Sequence, residues 1–141
     1  MTTTKRTKIT IEATVNAPIE KVWACWTLPK HITHWNYASE DWHCPSATND
    51  LRVGGKFNSR MEAKDRSFGF DFEGIYDEVE THKLIAYSLE DGRTVRTEFS
   101  EVDTKTTVKT VFDAENENPI EMQRFGWQSI LNNFKHHTET Q

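Results

Sequence analysis

The sequence predicts an α+β fold: a curved antiparallel sheet of about seven strands, two short N-terminal helices, and one long C-terminal helix lying across the sheet. Three observations carry this expectation. An apolar stripe at helical spacing runs from Pro119 to about His137, through Met122, Phe125, Gly126, Ile130 and Asn133, and is widened by Trp127, Leu131 and Phe134. From Leu51 to Phe112 the chain alternates apolar and polar residues in short runs divided by turn residues. Those turns are too short for crossovers, so consecutive strands are antiparallel neighbours. A single helix cannot bury its stripe alone, and the sheet is the partner on offer.

Taken in order, Thr7 to Val15 reads as a first strand, with Ile9, Ile11, Ala13 and Val15 alternating against Lys8, Thr10, Glu12 and Thr14. Asn16-Ala17-Pro18 opens a helix. Pro18 suits its first turn, Glu20 favours the positive helix end, and Ile19, Val22, Trp23 and Trp26 form its apolar face. Leu28-Pro29 stops it, and Lys30 to His34 makes a second short helical turn. Trp35 to Thr48 is the least regular stretch and reads as an ordered loop with a brief strand at one end. Gly54-Gly55 turns into a strand from Lys56 to Ala63, and Lys64-Asp65-Arg66 turns into a long strand from Ser67 to Val79. Thr81-His82 precedes a strand from Leu84 to Glu90, Asp91-Gly92 is the strongest hairpin signal, and Arg93 to Glu101 returns. After Asp103-Thr104, Thr106 to Phe112 is the last strand, and Asn116 to Pro119 leads into the final helix. Six strands then form a meander, and the first strand pairs with an edge, the last strand being the natural choice.

Composition excludes several classes of function. At 141 residues the chain is expected to be a single domain, 1–141, with 1–6 a flexible terminus. A net charge of −5 with dispersed Lys and Arg leaves no basic stripe for a nucleic-acid backbone, and Lys5-Arg6-Thr7-Lys8 reads as a solvated terminus. No apolar run reaches membrane-span length and no signal-peptide core follows Met1, so a cytoplasmic protein without membrane insertion is expected. Cys25 and Cys44 are read as two unpaired thiols.

Eight Phe, five Trp and three Tyr supply much of the core, and such rings pack in irregular shapes that leave voids. The register turns Phe57, Met61, Phe68, Phe70, Phe72, Tyr76, Tyr87 and Phe99 inward, and Met122, Gly126 and Ile130 face them from the helix. Singly each reads as ordinary core, and as a set they line a pocket for an apolar or aromatic ligand. Gly126 is either a close-packing contact or the floor of that pocket. Trp35, Tyr37 and Trp42 form either a pocket rim or a loop pinned onto the sheet end. His31 and His34 lie three apart with His43 and Cys44 further on, which falls short of converging metal ligands, and no metal or other cofactor is expected. Asp71 and Glu73 alternate with Phe70 and Phe72, and Arg96 and Glu98 oppose Val95, Thr97 and Phe99. They read as outward charge pairs, not catalysts. The inward titratable groups are then the phenols of Tyr76 and Tyr87.

The series Ala17-Pro18-x-x-x-Val22-Trp23, Asp50-Leu51-Arg52-Val53-Gly54-Gly55-Lys56-Phe57, Phe72-Glu73-Gly74-x-Tyr76, Leu89-Glu90-Asp91-Gly92-Arg93 and Gly126-Trp127-x-x-Ile130-Leu131-x-Asn133-Phe134 resembles a known family. It is the family named after the C-terminal domain of the activator of Hsp90 ATPase, within the START/Bet v 1-like (SRPBCC) superfamily. The resemblance runs from about Thr7 to His137 and implies the helix-grip fold. It implies hydrophobic-ligand or lipid carriage, co-chaperone action on Hsp90 with a part in the stress response, or polyketide aromatase/cyclase chemistry. From residues and resemblance together we expect a non-catalytic binder of a small hydrophobic molecule. We expect Trp35, Phe57, Met61, Phe70, Phe72, Tyr76, Tyr87, Phe99, Met122, Gly126 and Ile130 at its pocket, and a monomer or weak dimer with a possible protein partner. A co-chaperone module and an aromatase-like enzyme are the alternatives.

Overall fold

A computed structural model describes residues 7–141, and the terminus 1–6 lies outside the described residues. Strands β1 (Lys8–Val15), β2 (Trp42–Asn49), β3 (Lys56–Ala63), β4 (Gly69–Glu80), β5 (Leu84–Ser88), β6 (Thr94–Val102) and β7 (Lys105–Asp113) form one antiparallel sheet in the order β1-β7-β6-β5-β4-β3-β2. Helices α1 (Ile19–Thr27) and α2 (Pro29–Ile32) fill the gap between β1 and β2, and α3 (Ile120–Glu139) closes the fold. This is the expected α+β helix-grip architecture, and β1 pairs with β7 as its isolation from the meander required, Lys8 opposite Asp113 and Val15 opposite Thr106.

Local chemistry accounts for the element ends. Pro18, extended at φ −69° and ψ 157°, caps α1 one residue earlier than its expected place in the first turn. The Ile19 amide, one of the orphan donors of the first turn, donates to the Glu101 carboxylate at 3.1 Å. Leu28 is extended at ψ 126° and Pro29 opens α2, so the chain breaks between the helices where Pro forbids continuation. Gly92 turns at φ +90°, a conformation that favours glycine.

The stretch from Trp35 to Thr48 departs from expectation. Its second half is not loop but a full edge strand, β2, paired with β3 and broken by a bulge between His43 and Ser46. Pro45 sits in that bulge, exposed, where its missing amide costs no ladder bond. A proline among polar residues hides the period-two signal of an edge strand. A second bulge, between Tyr76 and Glu78 in β4, bends the longest strand where the sheet curls.

The face of α3 also differs from the expected stripe. Its buried positions are Gln123, Leu131, Phe134 and Thr138, with Trp127 half-buried, whereas Phe125 is 74% exposed and Met122 60% exposed. The helix packs against the β1–β7 end of the sheet. Trp127 stacks on Phe112, centroids 4.0 Å apart and planes 11° apart, and the Gln128 amide donates to the Glu12 carbonyl at 3.2 Å. Phe134 is wedged against Trp26 and Trp35, at 4.8 and 5.0 Å. Anchored at that end, α3 spans the middle of the sheet without filling the space beneath it.

Lys8, solvent-exposed as expected, opens β1 and is tied down: its ammonium lies 2.5 Å from Asp113 Oδ1, and Asp113 Oδ2 accepts from the Thr94 amide at 2.8 Å and hydroxyl at 3.0 Å. One carboxylate therefore ties β1, β7 and β6. Burial pushes the Asp113 carboxyl up, but the bonds from Lys8 and Thr94 outweigh it and leave it below the usual carboxylate range. A carboxyl depressed by folding adds stability above its unfolded pKa of about 4, and that stability is lost as pH falls through the folded value. Urea unfolding from about pH 7 to about pH 3 is expected to show a shallower acid loss for Asp113→Asn than for the parent, from a lower starting stability. Equal slopes below about pH 4 would remove Asp113 from the account.

Candidate functional site: an aromatic cavity beneath the final helix

Between α3 and the concave sheet face lies a cavity of about 450 Å³. Strand periodicity builds its floor: Phe57, Ser59 and Met61 from β3, Phe70, Phe72 and Tyr76 from β4, Ile85 and Tyr87 from β5, Val95 and Thr97 from β6, and Thr110 from β7. The roof is Met122, Gln123, Gly126, Trp127, Ile130 and Leu131, and Trp26, Ile32 and Trp35 close the end nearest α1 and α2.

The rings are held edge to face. Tyr87 lies 4.6 Å from Phe57 and 6.3 Å from both Phe72 and Tyr76, with interplanar angles of 70° to 86°. Gly74 makes this possible. A Cβ there would stand 2.8 Å from the Phe57 ring and 2.9 Å from the Ser88 carbonyl. Of the two readings open for Gly126, the close-packing contact falls instead to Gly74, because nothing lies within 4 Å of a Cβ built at Gly126. Gly126 faces open space on the cavity wall.

Most polar groups on the wall already have partners. Tyr76 donates to Asn49 Oδ1 at 2.5 Å, and Asn49 Nδ2 donates to the Thr27 carbonyl at 2.7 Å. Thr97 and Thr110 share a buried hydroxyl–hydroxyl bond of 2.8 Å. The Gln123 amide accepts from the Glu115 N–H at 2.9 Å and donates to the Asn118 carbonyl at 2.8 Å, fixing the entry to α3. Arg93, at the β5–β6 turn, donates to Asp91 at 2.7 Å. Burial pushes both the Tyr76 and the Tyr87 phenols far above their ordinary value, so each stays protonated at neutral pH. The ionisable groups on the wall are Arg93, Glu115 and these two phenols, without histidine or cysteine.

The expected pocket residues Trp35, Phe57, Met61, Phe70, Phe72, Tyr76, Tyr87, Met122, Gly126 and Ile130 all meet at this cavity, Phe70 and Met122 at its exposed mouth. Phe99 does not. It faces inward but packs against Trp23 at 5.3 Å and Trp26 at 5.7 Å, because α1 covers its end of β6. Phe68, also read as inward, lies just before β4 and is exposed. Of the loop aromatics, Trp35 reaches the cavity and is pinned by its indole N–H on the Cys25 carbonyl at 2.9 Å. Tyr37 offers its carbonyl to Asn133 at 2.7 Å, and Trp42 rests near Phe68 and Phe70. Trp26, Trp127, Thr110 and Gln123 were not placed at the pocket by the pattern, although Trp127 beside Gly126 carried the signal. Asp71 pairs outward with Arg60 at 3.5 Å across β3 and β4, and Arg96 with Glu78 at the same distance. His43 lies 3.9 Å from Glu62 and Cys44 is buried beside Ser46, both on the β2 edge. They do not meet His31, whose ring nitrogen instead contacts His137.

A family model described as activator of Hsp90 ATPase homolog 1-like protein matches residues 16–139. The chain belongs to this family. The solution structure of an AHSA1-like protein from Aeromonas hydrophila is 43% identical, over 95% of this chain and 93% of that one, with a TM-score of 0.89. A solution structure from Cytophaga hutchinsonii is 52% identical, over 94% and 92%, with a TM-score of 0.82. A Nitrosomonas europaea crystal structure at 18% identity, over 94% of each chain and with a TM-score of 0.82, shares the fold. Among curated proteins, none matches this chain significantly. This Hsp90-activator-like chain thus has a ligand-binding type of fold, and no described helix is long and apolar enough to cross a membrane.

Proposed function

We propose that this protein binds a small, largely apolar molecule, aromatic or lipid-like, in the cavity beneath α3 and does no chemistry on it. The observation that carries the reading is the cavity itself: about 450 Å³, walled by Phe57, Phe72, Trp127 and Tyr87 and left open where α3 carries Gly126. That volume lies in the range of small-molecule sites, which are mainly apolar with a few fixed polar groups. Here the fixed groups are the Tyr76–Asn49 pair, the Thr97–Thr110 pair and Arg93 at one end.

Aromatase-like catalysis has less support. A general acid or base needs a pKa near the working pH, the wall phenols sit far above it, and the wall carboxylate of Glu115 is already engaged by the Asn118 amide. Co-chaperone action on Hsp90 rests on the family description alone. NMR titration of the labelled protein with planar aromatics, sterols and fatty acids distinguishes the readings. Shifts at Phe57, Tyr87, Gly126 and Trp127 are the expected result. Shifts confined to the outer sheet face, or none with any of these compounds, would end the proposal, and capture of Hsp90 without such shifts would replace it.

A further inference from the structure

A second cluster lies outside the cavity. Cys25 on α1, His31 on α2 and His137 on α3 each bring one ligand atom to a common point, all within 4.8 Å of one another. His31 Nδ1 and His137 Nε2 are 3.0 Å apart. None of the three lines the cavity. We propose that Cys25, His31 and His137 form a binding site for a thiophilic divalent cation of the zinc type.

The donor set fits that class. One thiolate and two imidazoles suit Zn²⁺, which takes S and N ligands at about 2.3 and 2.0–2.1 Å in tetrahedral arrangement. Tetrahedral geometry with those bonds spaces the donor atoms roughly 3.3–3.6 Å apart. The two nitrogens are already near that spacing, and small side-chain rotations bring the sulfur in. Binding forms a metal–sulfur bond and releases the Cys25 proton to solvent, while the two neutral imidazoles give lone pairs.

The surroundings supply an independent sign. The Thr138 hydroxyl is 0% exposed and lies in hydrogen-bonding contact with the Cys25 sulfur. That hydroxyl is placed to donate to a metal-bound thiolate, as outer partners of metal ligands do. His137 Nδ1 lies 3.4 Å from the Gln141 side-chain amide, whose two ends are interchangeable by rotation. With its oxygen turned inward, Gln141 would accept the Nδ1 proton and leave Nε2 free for the metal. His34 stacks parallel on His137, planes 6° apart and centroids 5.5 Å apart, which fixes the ring. His31 and His137 are half-buried, so the fourth position opens to water, as in sites with three protein ligands.

The test is a Co²⁺ titration of the full chain followed by Zn²⁺ displacement, read by absorption. Expected are a near-ultraviolet thiolate-to-cobalt band and intense visible bands of a tetrahedral ion, both erased by Zn²⁺. Cys25→Ser is expected to abolish the thiolate band and Cys44→Ser to keep it. His31→Ala, which leaves the thiol in place, is expected to weaken affinity at least tenfold. Histidine NMR in Zn²⁺ should move His31 and His137 and leave His43 and His82 in place, which reads the wild-type protein directly should Cys25→Ser misfold. No thiolate band in the wild type, or a band kept in Cys25→Ser and lost in Cys44→Ser, overturns the site. Apolar-ligand binding is read by the cavity shifts, so failure of one proposal leaves the other standing.

Discussion

Phe134→Ala is expected to cost about 3–5 kcal/mol of unfolding free energy. Phe134 is 0% exposed and, among the described residues, is the one side chain in ring contact with both Trp26 and Trp35. Removing it takes away apolar burial and leaves a void that three elements, α1, α3 and the turn after α2, cannot all close together. The two tryptophans stack on each other at 5.1 Å and would be left with an empty edge. Guanidinium unfolding followed by Trp fluorescence measures the change. A loss below about 1 kcal/mol would mean that the α1–α3 junction repacks freely and that α3 is held mainly by Trp127 on Phe112.

Gly126→Phe is expected to separate stability from binding. The position is mid-helix, and nothing lies within 4 Å of an added Cβ, so a side chain there projects into space without a clash at its root. Glycine costs about 0.8–1.0 kcal/mol relative to alanine inside a helix, so Gly126→Ala should raise stability by about that much and keep binding. A phenyl ring would occupy the cavity in place of ligand. Affinity for an apolar fluorescent probe is expected to fall at least tenfold, equivalent to about 1.4 kcal/mol, with stability unchanged or higher. Thermal unfolding beside probe titration reads both quantities. Unchanged probe affinity in Gly126→Phe would place the ligand elsewhere.

Much of this fold was legible in the sequence because alternation and turn chemistry speak locally. Ile9, Ile11 and Val15 announce β1, and Asp91-Gly92 announces its hairpin, without knowledge of the rest of the chain. The cavity walls followed from the same alternation at Phe57, Met61, Phe72 and Tyr76. What failed depended on neighbours. Phe99 has the pattern of a wall residue, but α1 covers its end of the strand, and no local signal reports where a helix lies. Phe125 fits helical spacing yet faces outward, because the angle at which α3 docks is set by Trp127 on Phe112. The Cys25–His31–His137 cluster joins three helices across most of the chain, a convergence that spacing alone cannot express.

The pairing of β1 with β7 carries a kinetic consequence. Lys8 finds Asp113, and Val15 finds Thr106, only after roughly a hundred intervening residues have been made, some 5–20 s of synthesis at ordinary translation rates. During that interval the hairpins β2 to β6 can assemble through local turns, while Ile9, Ile11 and Val15 wait as an unpaired apolar strand on the nascent chain. The last partner to arrive, α3, then covers them. The order of synthesis thus leaves this apolar-faced edge strand as the longest-lived target for chaperones and for misassembly between nascent chains.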